Sequence, residues 1–373
     1  MIDFIKKIYN RSKKPSKKVF LGMSGGVDSS VSAVLLKERG YDVTGVFIKV
    51  WQPDFMTCTW KEDRRDAMRV CAKLGIPFKT IHAEKEYKKE VVDYMITEYK
   101  EGRTPNPDVM CNNSVKFGVF YKKAIELGAD YIATGHYAKR LEDQNGNVSL
   151  GIPLDNTKDQ TYFLWNIPRE TLVKTLFPLG DITKKEVRKI ALQFELSNAR
   201  KKDSQGLCFI GKVSMKDFLS HYLQLKNGDV VNKEGVVIGH HEGALLYTVG
   251  QRHGFYITKK TPHDDRFYVI DKNVDTNTIV VSEKESPDIE NATKKTIILS
   301  DVNLLVPNDF STKDIKTRIR YRQPLHEIKN IKIEGRDAYV SFDTLPPMVS
   351  LGQSCVFYDN LRCIGGGIIS DLI

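Results

Sequence analysis

From Val19 to about Leu196, short β-like apolar runs alternate with amphipathic helical ones, and that grammar leaves few folds open. KVFLGM (18–23) reads as a buried strand, followed by a helix near 29–39 that stops at Gly40. DVTGVFIKVW (42–51), PFKTIHA (77–83) and ADYIATGH (129–136) read as further strands, with helices at about 62–74, 85–100 and 114–128. Strands separated by helices imply right-handed βαβ units and an α/β fold with a doubly wound parallel sheet. Ligands of such sheets bind at the carboxyl ends of strands, where loops meet helix N-termini. Beyond about 210 the pattern changes. A helix is expected over 214–223, then short runs such as RFYVI, TIVV, TRIRYR, AYVSF and QSCVFY between turn signals predict two small β-rich modules, the last a β-barrel. The expected division is a basic tail over 1–16, an α/β domain over 17–211, a central β-rich module over 212–285 and a C-terminal barrel over 286–373.

The formal net charge is +10, but residues 1–20 hold seven Lys/Arg against Asp3 alone and supply +6 of it. Charge is therefore a weak pointer to nucleic acid for the folded part. No stretch approaches the roughly 18–20 apolar residues of a membrane span, and the N-terminal segment lacks the apolar core of a secretory signal. Its lysine bias and Asp3 argue against a mitochondrial transit peptide, so a cytoplasmic protein without membrane attachment is expected. The six cysteines (Cys58, Cys71, Cys111, Cys208, Cys355, Cys363) show neither CxxC pairs nor zinc spacing. No metal site is expected, and reduced thiols are.

LGMSGGVDSS (21–30) lies where the first strand meets the first helix. It has no lysine, which excludes a Walker A loop, and it lacks the GxGxxG of dinucleotide folds. Gly25 and Gly26 allow a tight turn with bare N–H groups facing an anion, and Ser24, Ser29 and Ser30 add hydroxyl donors. The helix that follows offers its positive end, which Asp28 either caps or uses to orient magnesium. An ordinary capped strand–turn–helix would share some of these residues. A near-Walker run, GLCFIGKV (206–213), lacks the Ser/Thr for magnesium and is too bulky to wrap a phosphate.

Two further stretches bear chemistry. GRTPNPDVMCN (102–112) places Asn106, Asp108 and Cys111 in a loop stiffened by two prolines, with Asp108 a candidate general acid/base. The helix after it can stabilise a Cys111 thiolate. KKDSQGLCFIG (201–211) places Cys208 in a polar, glycine-containing run. Two candidate reactive thiols suggest sulfur chemistry, with one delivering a persulfide sulfur and the other resolving it as a disulfide. His136 reads equally well as a hydrogen-bonded strand-end histidine, RIRYR as a solvated strand face, and the terminal GGG as a strand bend.

SGGVDS resembles the PP-loop of ATP pyrophosphatases, which cleave ATP between its α and β phosphates. Together with GRTPNPDVMCN, ATGHYA (133–138), KDQTYFL (158–164), KKDSQGLCFIG, TVGQRHG (248–254), RYRQ (320–323) and CIGGGII (363–369), it resembles the tRNA-specific 2-thiouridylases over nearly the whole chain. Gln205 and the long basic N-terminal extension depart from the family pattern. The resemblance implies ATP at Gly22, Met23, Ser24, Gly25, Gly26, Val27, Asp28 and Ser29, with Ile48 and Gly135 beside the adenosine. It implies target uracil at Asn106, Pro107 and Asp108, a nucleophile at Cys111 and a persulfide at Cys208. Lys158, Asp159, Gln160, Arg320 and Tyr321 would meet tRNA, and Arg318 and Arg322 extend that surface. ATP with Mg2+ would be co-substrate, with no tightly bound cofactor. The sulfur would come from a donor protein such as a cysteine desulfurase or a relay protein. The uracil C2 oxygen would be adenylylated, and sulfur would then displace AMP, either from the Cys208 persulfide or as hydrosulfide released by Cys111. The competing readings are another PP-loop tRNA-modifying or amidating ligase, and a non-enzymatic RNA-binding protein with a vestigial loop.

Overall fold

The structure, a computed structural model, describes residues 16–56, 60–203, 214–258, 266–283, 294–306 and 314–373. Nearly all of the basic tail, with Cys58, Cys208 and the whole near-Walker run, lies outside those residues.

The first module is built on strands β1 (Lys18–Gly22), β2 (Asp42–Lys49), β3 (Phe78–His82) and β4 (Tyr131–Ala133). A hairpin of β5 (Lys139–Glu142) and β6 (Val148–Gly151) follows, then the two-residue β7 (Thr175–Leu176). The wholly parallel sheet runs β3-β2-β1-β4-β7, as strand–helix alternation requires. Its helices are α1 (Val27–Glu38), α2 (Trp60–Leu74), α3 over 84–100, α4 over 107–126, α5 (Arg169–Val173) and α6 (Lys184–Gln193). Alternation along the strands divides the core into two layers. Val19, Leu21, Val43 and Phe47 pack with α1, α2 and α6, whereas Phe20, Val46 and Ile48 pack with α3 and α4.

The helix expected over 114–128 begins seven residues earlier, at Pro107. Asn106 caps it by accepting from the Val109 amide, and Pro107 occupies the first turn, where its missing N–H costs nothing. Asp108 and Cys111 therefore sit on the helix rather than in the loop. From Cys111 to Val119 the helix widens into π-type turns, a form that recurs at functional sites.

After α7 (Met215–Ser220), β8 (Gly228–Val231), β9 (Val237–His241), β10 (Phe255–Ile257), β11 (Tyr268–Asn273) and β12 (Thr278–Ser282) form a sheet ordered β10-β9-β8-β12-β11. Its small core holds Val230, Tyr247, Val269, Ile279 and Val281. The last module comprises β13 (Thr296–Leu304), β14 (Ile315–Arg318), β15 (His326–Glu327), β16 (Asn330–Glu334), β17 (Asp337–Ser341), β18 (Ser354–Asp359) and β19 (Arg362–Leu372). They follow the order β15-β14-β18-β19-β13-β17-β16 and curl into a near-barrel around Ile297, Leu299, Val340, Phe342 and Phe357. The GGG run bends β19: Gly365 has φ +144°, and a Cβ on Gly366 would lie 3.0 Å from the Trp165 ring.

The modules are not strung as separate beads. The β5–β6 hairpin leaves the α/β module and pairs with β19, setting Leu150 opposite Cys363 and Gly151 opposite Arg362. Val356, Tyr358 and Cys363 of the near-barrel share one apolar core with Ile48, Cys111 and Phe120.

Candidate active site at the nucleotide loop and the inter-module cleft

The loop after β1 has the shape an anion cradle needs. Gly25 is left-handed (φ +76°), and its missing side chain lets the Asp63 carbonyl of α2 lie directly over it. Ser24 and Ser29 hydroxyls lie 3.3 Å apart, and the Ser29 and Ser30 hydroxyls donate to the Gly26 carbonyl at 3.1 and 2.9 Å. Buried Asn198 donates to the Gly25 carbonyl and to the Ser30 hydroxyl, both at 2.9 Å, so a residue far along the chain locks the loop. The first amides of α1 have no acceptor within the helix and face the space above the loop.

Gly135, just past β4, is fixed by close packing. A Cβ there would sit 2.8 Å from the Ser29 amide nitrogen and 3.0 Å from the Asp28 carbonyl carbon, both backbone atoms that cannot swing away. Gly135→Ala should push the N-terminus of α1 off its position and raise the KM for ATP by about tenfold or more. A KM within twofold of the parent, measured by pyrophosphate release, would remove Gly135 from the site.

The cation absent from the loop's own sequence arrives through space. Lys184 Nζ donates to both carboxylate oxygens of Asp28 at 2.7 and 2.8 Å, and it lies 2.8 Å from Asp203. A capping box between Thr183 and Glu186 starts α6 there and fixes where Lys184 leaves the backbone. Tyr137 donates its phenol hydrogen to Asp28 at 2.9 Å, and burial together with the Asp28 charge pushes that phenol well above its usual range. Lys201 bridges Asp63 and Asp66 of α2, both at 2.8 Å. Sequence reading missed Lys184, Asn198 and Lys201. Only the T-x-x-E capping signature before α6 was locally visible.

His136 is buried between Thr134 and Lys116, 2.8 Å from the former and 3.4 Å from the latter. Burial and the Lys116 charge hold its pKa well below the usual histidine value, so it is a neutral hydrogen-bonding imidazole near neutral pH.

All three modules hold the loop before α4. Arg103 forks onto Glu98 at 2.7 and 2.5 Å, the Thr104 amide donates to the Leu351 carbonyl, and Gln353 donates to the Thr104 and Pro105 carbonyls. The Thr248 hydroxyl of the central module donates to that of Thr104 at 3.2 Å. Cys111 follows one helical turn inside α4, 0% exposed against the core that includes Ile48 and Val115. Its neighbour Asn112 donates to the Phe163 carbonyl at 2.8 Å, and the Phe163 ring packs 4.4 Å from that of Tyr321.

Tyr321 opens onto a cleft of about 600 Å³ between the α/β module and the near-barrel, lined by Asn156, Lys158, Asp159, Arg318, Tyr321 and Arg322 among others. The residues expected to meet tRNA divide here. Lys158 and Tyr321 line the cleft, and the Arg322 guanidinium covers the Tyr321 ring. Asp159 also borders it, but its carboxylate is buried and engaged by the Thr161 amide and hydroxyl and by Arg318 at 2.7 Å. Gln160 accepts from the Tyr137 amide at 2.8 Å, and Arg320 donates to the Val249 carbonyl at 3.1 Å. The side chains of Asp159, Gln160 and Arg320 therefore serve as internal struts. The alternative reading of RIRYR as a solvated strand face fails at Arg318, whose side chain is interior and lies over the Tyr358 ring, and holds at exposed Arg322.

Family profiles cover the chain almost end to end: a tRNA methyl transferase HUP domain over residues 17–212, its PRC-barrel domain over 216–283, and an aminomethyltransferase beta-barrel domain over 294–369. Across 355 residues the chain is 45% identical to a tRNA-specific 2-thiouridylase of Streptococcus agalactiae, spanning 94% of this chain and 95% of that one. The chain belongs to the tRNA-specific 2-thiouridylase family. The counterpart in Enterococcus faecalis is 45% identical over 361 residues, covering 94% of this chain and 95% of its own length. That in Oceanobacillus iheyensis is 44% identical over 360, covering 95% of each. The family match includes both β-rich modules and so accounts for the three-part architecture, not for the nucleotide loop alone. Among the described residues no group of three or more His, Cys, Asp or Glu could hold a metal ion, and no helix is long and apolar enough to cross a membrane.

Proposed function

We propose that the chain is a tRNA-uridine 2-sulfurtransferase that adenylylates the C2 oxygen of a wobble uridine and replaces it with sulfur. The observation that carries this reading is full-length similarity to 2-thiouridylases, combined with a PP-loop at the carboxyl end of the central strand β1. ATP binds with its phosphates over Gly25, Gly26 and the N-terminus of α1. Magnesium comes with ATP as part of the substrate, held mainly by phosphate and water. Lys184 stands beside the loop at Asp28, where negative charge grows as pyrophosphate leaves.

The tRNA enters the cleft at Lys158, Tyr321 and Arg322, where cations meet phosphates. The uridine must leave its stack to reach the loop. Asn106, Pro107 and Asp108 receive it at the start of α4, a position rigidified from all three modules. The C2 carbonyl oxygen attacks the α-phosphorus, pyrophosphate departs, and the adenylylated oxygen becomes a leaving group. The terminal sulfur of a Cys208 persulfide attacks C2, AMP leaves, and the Cys111 thiolate takes the inner Cys208 sulfur as a disulfide while the new C2–S bond is kept. A disulfide reductant outside the chain then restores both thiols. A donor protein of the cysteine desulfurase or sulfur-relay type supplies the persulfide.

The test is mass analysis of nucleosides from tRNA incubated with the protein, ATP, magnesium, a cysteine desulfurase and L-cysteine. The expected product is a uridine heavier by the difference between sulfur and oxygen, dependent on ATP. An amidating or other ligase would release pyrophosphate without that product, and an RNA-binding protein would release none. Either outcome overturns the reading.

A further inference from the structure

We propose that Asp203 is a positioning residue that couples adenylylation to sulfur delivery, by joining the nucleotide loop, the tRNA cleft and the chain leading to Cys208. The inference rests on the role given above to Cys208.

Three cations converge on this carboxylate. Lys184 lies 2.8 Å from it and reaches across to Asp28 of the loop. Lys158, which lines the cleft, donates to it at 3.2 Å. Arg188 of α6 donates to it at 2.5 Å, and the same guanidinium holds the Ala199 and Lys201 carbonyls at 2.9 and 2.6 Å. Burial would raise the pKa of the carboxyl, but Lys184 and Lys158 outweigh burial and hold it below the usual range. It stays ionised wherever its partners are charged.

The stretch 198–203 is thereby pinned to the nucleotide loop at both ends and to α2 in the middle. Asn198 bonds the Gly25 carbonyl, Lys201 bonds the Asp63 and Asp66 carboxylates of α2, and Asp203 reaches Asp28 through Lys184. Such anchoring is more than a surface turn requires, and its consequence is geometric. Cys208 is five positions further on, so covalent reach keeps it within about 18 Å of the Asp203 backbone whatever path is taken. A fixed start to that path raises the effective concentration of the persulfide at an adenylylated uridine beside the loop. Lys158 adds a second consequence, because the cation at the cleft and the base of the sulfur-bearing chain share one counter-ion.

Positioning of this kind acts after adenylylation and so predicts uncoupling. In Asp203→Asn the hydrogen-bonding shape is kept and the charge is lost. The loop, still held by Asn198 and by Lys184 on Asp28, should release pyrophosphate at a rate within about threefold of the parent. Formation of 2-thiouridine should fall further, so that pyrophosphate released per 2-thiouridine rises about tenfold or more. The excess adenylate either accumulates or is hydrolysed by water to uridine and AMP. Asp203→Glu should restore most of the ratio, and Arg188→Gln, which frees the same stretch, should raise it. A merely structural role would reduce both products in proportion to the folded fraction and leave the ratio alone.

The measurement takes the full chain with tRNA, ATP, magnesium, a cysteine desulfurase and L-cysteine, with Cys208→Ser run in parallel. Parent-like ratios in Asp203→Asn and Arg188→Gln, with Cys208→Ser inactive in thiolation, overturn this inference alone. Product from Cys208→Ser overturns the Cys208 role on which it rests.

Discussion

Cys111→Ser and Cys208→Ser each lower 2-thiouridine formation by at least about a thousandfold, the scale expected when a nucleophile that acts as part of a unit is removed. The two losses are not additive, because the double variant has no step left to lose. On the proposed mechanism neither thiol takes part in adenylylation, so pyrophosphate release dependent on tRNA should persist in both. Serine at 111 replaces a fully buried thiol with a slightly smaller hydroxyl on a helix that stays capped by Asn106 and Pro107, so the fold should survive. Retained thiolation in either variant would place the chain with PP-loop ligases that need no cysteine. Burial also predicts that, without substrate, Cys111 is alkylated slowly by iodoacetamide compared with a surface thiol.

Much of this site was legible because its determinants are local. Apolar alternation dictates the parallel sheet, the sheet dictates where a ligand sits, and the glycines of SGGVDS mark that place. The start of α4 was written in the sequence as well. Asn106 followed by Pro107 is a helix-start signal, yet Pro105 and Pro107 together equally suit a rigid loop, and that ambiguity hides the helical placement of Asp108 and Cys111. What stayed hidden depends on distant contacts. Lys184 meets Asp28 across 156 positions, and Asn198 meets Gly25 across 173. No periodicity records such meetings, because the polar residues involved are ordinary at the surface of any helix or turn. The β5–β6 hairpin is a similar case: nothing in its own sequence names β19 as its partner.

The joined architecture explains why an activating domain carries two β-rich modules. An ATP loop alone can be built on one sheet. A target uridine also needs a receiving position, and the one proposed at Asn106–Asp108 follows a loop on which Leu351 and Gln353 from one module and Thr248 from the other close. Gly102 (φ +74°) and Gly352 (φ +85°) permit the chain paths this needs, and a Cβ on Gly352 would sit 3.0 Å from the Thr104 carbonyl group.

Arg318→Met should be the most destabilising single change at this junction, costing about 3–5 kcal/mol, because it leaves the Asp159 carboxylate buried with only Thr161 for company. Arg318 is 13% exposed and Asp159 only 4%, so water cannot replace the lost cation cheaply. Asp159→Asn should cost less, since the amide keeps an acceptor for Thr161 while Arg318 retains the Tyr358 ring beneath it. The double variant should be more stable than Arg318→Met alone, because the stranded charge is gone. Denaturant unfolding of the four proteins gives the cycle, and costs that simply add would show that the pair is not a coupled unit. Binding of tRNA separates the strut from a contact. If Asp159 works through the junction, the double variant recovers tRNA affinity along with stability. If its carboxylate touched the tRNA, affinity would stay low in every variant that lacks it.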